Sequence, residues 1–314
     1  MTIARSTLNI GPGIITFDSQ VIYSKDDIIV TPVIETFDVE TSMFGKADER
    51  LDNIMFEVTF TPAGQWTAGH LPVLWPYTNP IVGSSVFGTD KNVVINGLNG
   101  QQMSFYAGAI TSMPSIRLSA KESVMGQVTM MCIGADDTAW TDAAKRATVA
   151  AVAFSDTSFV SSAIKTVAYT STWGASAPWD DFSTEDGWTI DFEVDMVDIS
   201  VDTEGIVDKR IGPAITGVIA KCVPQGVTEA QLLSLLKVQG AGIVRGASLS
   251  GNTNDLVITG GVGNPLITLN HAAPKEGPFR WGSTQIRSGE IAFVSVAEFT
   301  AGARHALFSV AVGS

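Results

Sequence analysis

The stretch FDVETSMFGKADERLDNIMFEVTFTPAG, Phe37 to Gly64, is written a second time, in altered form, as VDISVDTEGIVDKRIGPAITGVIAKCVPQG, Val197 to Gly226. At an offset of 160 positions Asp38 falls on Asp198, Val39 on Ile199, Gly45 on Gly205, Asp48 on Asp208, Arg50 on Arg210 and Leu51 on Ile211. After two extra residues in the second copy, Pro62-Ala63-Gly64 falls on Pro224-Gln225-Gly226. Solenoid repeats have periods of about 20–50 residues. A period this much longer signals two whole domains in tandem.

The correspondence extends in both directions. Upstream, Ser24-Lys25-Asp26-Asp27 stands against Thr184-Glu185-Asp186-Gly187. Downstream, at an offset of 163, Val94 meets Val257, Ile95 meets Ile258, Gly97 meets Gly260, Arg117 meets Arg280 and Gly126 meets Gly289. Each half closes on a matching apolar run, 141–153 and 300–312. A chain of 314 residues has room for two such domains. We place domain 1 at 1–155, with an N-terminal arm ending in Gly11-Pro12-Gly13, a Ser-, Thr- and Ala-rich linker at 156–175, and domain 2 at 176–314.

Within each half the apolar residues alternate or form short β-branched runs, such as GIITF (13–17), QVIY (20–23) and NIMFEVTF (53–60), which is the pattern of half-buried strands. The chain is therefore expected to be mainly β. One short helix is expected per domain: Leu71, Leu74 and Trp75 have helical spacing behind Thr67, and Leu232, Leu235 and Leu236 follow the capping-box pair Thr228 and Gln231. Thr41 to Asn53, dense in charge, reads as a long exposed loop between strands, and Val201 to Pro213 as its counterpart.

Composition narrows function. A formal charge of −13 argues against gripping phosphates, which takes clustered Lys and Arg. Charged residues make up only 16% of the chain, so part of its surface is expected to face protein. The N-terminus lacks the apolar core of a signal peptide, and no run of about 18 apolar residues suggests a membrane helix. Folding in the cytosol without membrane insertion is the expectation. Cys132 and Cys222 sit in apolar runs and read as buried free thiols. His70, His271 and His305 lack metal-ligand spacing, and no nucleophile elbow, phosphate loop or Cys-x-x-Cys occurs. No enzyme activity, metal or cofactor is expected.

Four charged features remain. Asp48 with Arg50 and Asp208 with Arg210 either tie down their loops or meet a neighbouring subunit. Arg117 and Arg280 each enter an apolar strand run and are subunit-interface candidates, since the planar guanidinium suits interface ion pairs. In TIDFEVDM the period-2 geometry puts Asp191, Glu193 and Asp195 on one face, either a solvated face or an anionic wall. Glu35 falls at the place of Asp195 in the first copy.

The run LPVLWPYTNPIVGSSVFG (Leu71 to Gly88), the stretch AITSMPSIRL (Ala109 to Leu118) and the strand start Gly126-Gln127-Val128-Thr129 resemble the tail tube proteins of long-tailed bacteriophages. The resemblance implies two tandem β-sandwich domains, each flanked by a short helix. It also implies stacked rings whose inner sheets line a DNA channel, and long loops that contact the next ring. A duplicated chain would then close as homotrimeric rings of pseudo-six-fold symmetry. Phe44, Lys46, Asp48, Glu49, Arg50 and Asp52, with Asp202, Glu204, Asp208, Lys209 and Arg210, become ring-stacking candidates. Glu35, Asp191, Glu193 and Asp195 become lumen candidates. Implied partners are other copies of the chain, a tape measure protein, a tail terminator, distal tail proteins, and passing double-stranded DNA bound without sequence preference. The implied location is the virion tail, assembled in the host cytoplasm. The alternatives are another ring-forming tube or capsid accessory protein, and a carbohydrate-binding or hydrolytic β-sandwich whose sugar platform would use Trp179 and Trp188 or Trp75 and Tyr77.

Overall fold

The computed structural model describes residues 13–63, 70–87, 91–97, 100–119, 123–133, 147–151, 169–173, 182–201, 205–213, 217–225, 254–261, 264–276, 279–281, 286–295, 299–300, 303–304 and 306–312. The N-terminal arm, most of the linker and the expected second helix at 228–237 lie outside them.

In the first half the elements are β1 (Gly13–Phe17), β2 (Gln20–Tyr23), β3 (Ile29–Thr41), β4 (Gly45–Phe60), α1 (His70–Leu74), β5 (Val93–Gly97), β6 (Gln101–Phe105), β7 (Gly108–Ser112), β8 (Ile116–Leu118), β9 (Ser123–Met125), β10 (Val128–Ile133) and β11 (Thr148–Ala151). The second half has β12 (Thr170–Trp173), β13 (Ser183–Glu193), β14 (Met196–Val201), β15 (Gly205–Ile211), β16 (Gly217–Gln225), β17 (Asn254–Thr259), β18 (Pro265–Glu276), β19 (Phe279–Trp281), β20 (Ile286–Ser288), β21 (Ile291–Ser295), β22 (Phe299–Thr300), β23 (Ala303–Arg304) and β24 (Phe308–Val312). The protein is mainly β, in antiparallel sheets consistent with a β-sandwich. Thr170–Trp173, read from composition as linker, is a strand that pairs with β17. Its Ser and Thr content hid a period-2 pattern in which Ser171 and Trp173 point inward.

Two sheets form the first half, in the orders β11-β6-β5-β1-β2 and β3-β4-β10-β7. The β1–β2 hairpin turns through Asp18 and Ser19, both at positive φ, as a two-residue turn matched to strand twist requires. The sheets pack face to face, with the rings of Phe56 on β4 and Phe105 on β6 5.0 Å apart. Gly108 allows this closeness, because a Cβ there would lie 2.3 Å from a Val93 methyl.

The second half repeats these pairings. Ile29 opposite Thr59 and Val30 opposite Val58 recur as Thr189 opposite Lys221 and Ile190 opposite Ala220. Val128 opposite Phe60 recurs as Ile291 opposite Cys222. Phe37 opposite Arg50 recurs as Val197 opposite Arg210, and the bulge after Val39 recurs after Ile199. Ala107, between β6 and β7, and His271, inside β18, both stand at positive φ where the chain passes from one sheet edge to the other. One difference is that β18 runs unbroken and joins what are separate sheets in the first half.

The halves also share a core. β8 leaves its own half and pairs with β13, placing Leu118 opposite Trp188, Arg117 opposite Thr189 and Ile116 opposite Ile190. Trp75, at the end of α1, is fully buried with its ring 5.5 Å from that of Phe192. Its indole N–H donates to the Pro114 carbonyl at 2.9 Å. One continuous apolar cluster runs from Ile15 and Phe60 through Trp75 and Ile116 to Trp188, Phe293 and Phe308.

Candidate functional site

The stretch from Thr41 to Asn53 is not a loop. β3 and β4 extend past the sandwich as a two-stranded arm paired from Thr36 opposite Leu51 to Thr41 opposite Gly45, and only Ser42, Met43 and Phe44 turn. β14 and β15 form the matching arm in the second half. Hydrophobic alternation could not reveal these strands, since charged residues occupy both faces. Cross-strand polar contacts hold them instead.

In the first arm Asp38 and Glu49 are directly opposite, a repulsive pair. Lys46 bridges them, 2.6 Å from Asp38 and 3.1 Å from Glu49. Thr36 donates its hydroxyl to Glu49 at 2.7 Å. That bond first, and Lys46 second, holds the Glu49 carboxyl below the usual carboxylate range, while Asp38 and Glu49 push the Lys46 ammonium up. Arg50 pairs with Asp48 at 3.3 Å. At the tip Met43 and Phe44 are 82% and 77% exposed, an apolar end on a charged stem. Asp52 lies in β4, and its side chain is outside the described residues, as are Asp202 and Glu204 entirely.

The second arm keeps the ion pairs and changes the setting. Lys209 contacts Asp198, and Arg210 meets Asp208 at 3.2 Å. β15 lies against the first half's 83–86 segment through backbone bonds: Gly83 N–H to Ile211 O, Ile211 N–H to Ser84 O and Val86 N–H to Lys209 O, at 2.8, 3.0 and 2.7 Å. Ser85 donates its hydroxyl to Asp208 at 2.7 Å. Ile211 is buried with Val86 and Ala109, with Tyr77 and Phe87 packed alongside. Burial drives the Tyr77 hydroxyl up, and it donates to the Ile110 carbonyl at 2.7 Å.

The acidic row on β13 is shorter than the sequence implied. Asp191 and Glu193 share the face opposite buried Ile190 and Phe192. The strand then ends at Glu193, and Asp195 lies in the link to β14, its carboxylate where a Cβ on Gly212 would fall, 2.2 Å away. Lys221, opposite Thr189, shares the Asp191 face, so the face is not uniformly anionic. Asp191, Glu193 and Asp195 line two adjoining clefts of about 420 and 370 Å³, walled on the other side by Thr111, Ser112 and Met113 of the first half. Glu35 stands, half-buried, at the bulge where the first arm begins.

Arg117 is in an interface, but one between the halves of a single chain. Arg280 occupies the middle of β19, opposite Arg287; its side chain lies outside the described residues. Of the aromatic residues suggested for a sugar platform, Trp75 and Trp188 are fully buried and Tyr77 is partly buried; the Trp188 indole donates to the Ser171 hydroxyl at 2.7 Å. Trp179 lies outside the described residues. Cys132 and Cys222 are buried free thiols on different strands. Burial pushes the Cys132 thiol up to about 12 and the Cys222 thiol up as well, with Glu290 adding to the latter. Among the described residues no group of three or more His, Cys, Asp or Glu could hold a metal ion, and no helix is long and apolar enough to cross a membrane.

No protein-family model matches the chain, and no curated protein matches its sequence.

Proposed function

We propose that the chain is a structural tube subunit. Two like domains per chain close head to tail into trimeric rings of pseudo-six-fold symmetry, and the rings stack into a channel for double-stranded DNA, as in the phage tail tubes its sequence resembles. The observation that carries this reading is the contrast between the arms: the second is docked on the preceding half, while the first stands bare with an apolar tip. A bare copy of a docked surface is what a head-to-tail assembly leaves at its open end.

The charge supports the same reading. With a net charge of −13 the chain as a whole repels a polyanion, so DNA can slide past it. Tape measure, terminator and distal tail proteins would then be its partners at the tube ends and inside, and the virion tail its location. Electron microscopy of the purified full chain is expected to show rings and stacked rings. Replacing the tip, Thr41–Gly45, by an Asn-Gly turn, which suits a two-residue hairpin, is expected to leave single rings that do not elongate. A chain that remains a lone subunit at every concentration would overturn the reading.

A further inference from the structure

Among the described residues, three surfaces of the second half that the first half covers have counterparts in the first half that are more exposed. On β13, Ile190 is fully buried where β8 pairs beside it, whereas the corresponding Val30 on β3 is only partly covered; next to it the first half has Ile29, 55% exposed, where the second has the exposed polar Thr189. On the arms, Ile211 is 5% exposed and Leu51 43%. At the closing strands, Phe308 of β24 is buried and α1 packs on that strand, whereas every residue of β11 is exposed, Val149 at 66%. Isolated exposed apolar side chains are ordinary; an aligned set of three marks an interaction face.

The matching donor surface is also present. The β8–β9 hairpin, which covers β13, corresponds at an offset of 163 to the β19–β20 hairpin. Among the described residues β19–β20 pairs with no other strand, and the outer edge of β3 carries none either. An unpaired strand edge is a template for another strand.

We propose that β19 of one chain adds to the outer edge of β3 in the next, antiparallel, with Trp281 opposite Ile28, Arg280 opposite Ile29 and Phe279 opposite Val30. The register is that of β8 on β13 carried over, and continuity with that interface identifies the occupant as a second copy of this chain. The pairing carried over covers three residues, as 116–118 on 188–190 does. Pro32 has no N–H to offer an outer strand and keeps it from growing in that direction. Asp27 stands where Gly187 faces the Leu118 carbonyl oxygen 2.0 Å from the place of a Cβ, so Trp281, the counterpart of Leu118, sits farther from β3 than Leu118 does from β13. This deepens the tube reading and takes from it only the closure into a ring.

Paired cysteines in the full chain test it. Arg117→Cys with Thr189→Cys is the internal control and is expected to cross-link within one chain. Ile29→Cys with Arg280→Cys is expected to give covalent dimers and closed trimers on oxidation, and Ile29→Cys with Phe279→Cys, one residue out of register, far less of either. Ile29→Lys, at an exposed position, is expected to stay folded by circular dichroism and to self-associate on the order of tenfold more weakly. Rings without in-register cross-links, or equal yields in both registers, overturn the proposal and leave the tube reading standing. In-register cross-links without stacked rings support the proposal and overturn the tube reading. A monomer with no intermolecular cross-link overturns both.

Discussion

The two arms pair in the same register, bulge at the same place and carry the same Asp-x-Arg motif, yet they differ in what surrounds them. In the second arm the Asp208 side chain is 18% exposed and accepts from Ser85; in the first, Asp48 is 57% exposed and, among the described residues, meets its own strand neighbours Glu49 and Arg50. The lesson is that pairing makes the hairpin, and a neighbouring half makes it rigid. An exposed ion pair is worth about 0–1 kcal/mol, so the first arm must draw its stability from its backbone ladder.

The sharpest way to break this comparison is to truncate the apolar residue at the base of each arm. Ile211→Ala removes a buried side chain from the cluster with Val86 and Ala109 and is expected to cost about 2–5 kcal/mol in urea unfolding of the dissociated chain. Leu51→Ala, at the corresponding exposed position, is expected to change stability by no more than about 0.5 kcal/mol. Equal losses would mean that Leu51 is covered and the arms are alike.

A smaller effect is expected at the aspartates. Coupling between Ser85→Ala and Asp208→Ala in a double-mutant cycle should reach about 0.5–1.5 kcal/mol, the worth of a partly buried hydrogen bond. Asp48→Ala should be nearly silent while chains are dissociated. A silent Asp208 would show that the second arm is held by its backbone bonds and the burial of Ile211, without the Ser85 contact.

The sheet strands of both halves were legible in the sequence because each has one buried face and hence an alternating pattern: Ile15 and Phe17 on β1, or Trp188, Ile190 and Phe192 on β13. The arms were legible as a repeat and misread as loops, since Lys46, Asp48, Glu49 and Arg50 present charge to both faces and leave no period to detect. The passage of β8 into the other half's sheet was invisible. Ile116-Arg117-Leu118 alternates correctly for any sheet, and nothing in a strand names the edge it will join. Likewise Asp195 was placed on the acidic face by counting in twos, which fails once the strand ends at Glu193. Of the candidate site, composition and repeat located the arms, and only coordinates separated the covered copy from the bare one.

The finest test concerns pH, and it turns on a difference of one residue. Opposite Asp38 the first arm has Glu49, where the second has Lys209 opposite Asp198. Glu49 is held below its ordinary value in the folded arm, so its contribution is complete at pH above the unfolded value and is lost as pH falls through the lower folded one. Lys46 is pushed up, so its contribution is complete below its ordinary value and is lost as pH rises through the higher folded one. Amide protection in the first arm should therefore fall on acidification as the Glu49 carboxylate is protonated. The Thr36 hydroxyl is the first cause and Lys46 the next, so Thr36→Val and Lys46→Ala should each bring the Glu49 carboxyl titration, followed by NMR, back toward the ordinary value. If Thr36→Val leaves it unmoved, the Thr36 to Leu51 register is not kept in solution. The arm would then be ordered only when a second copy of the chain lies against it.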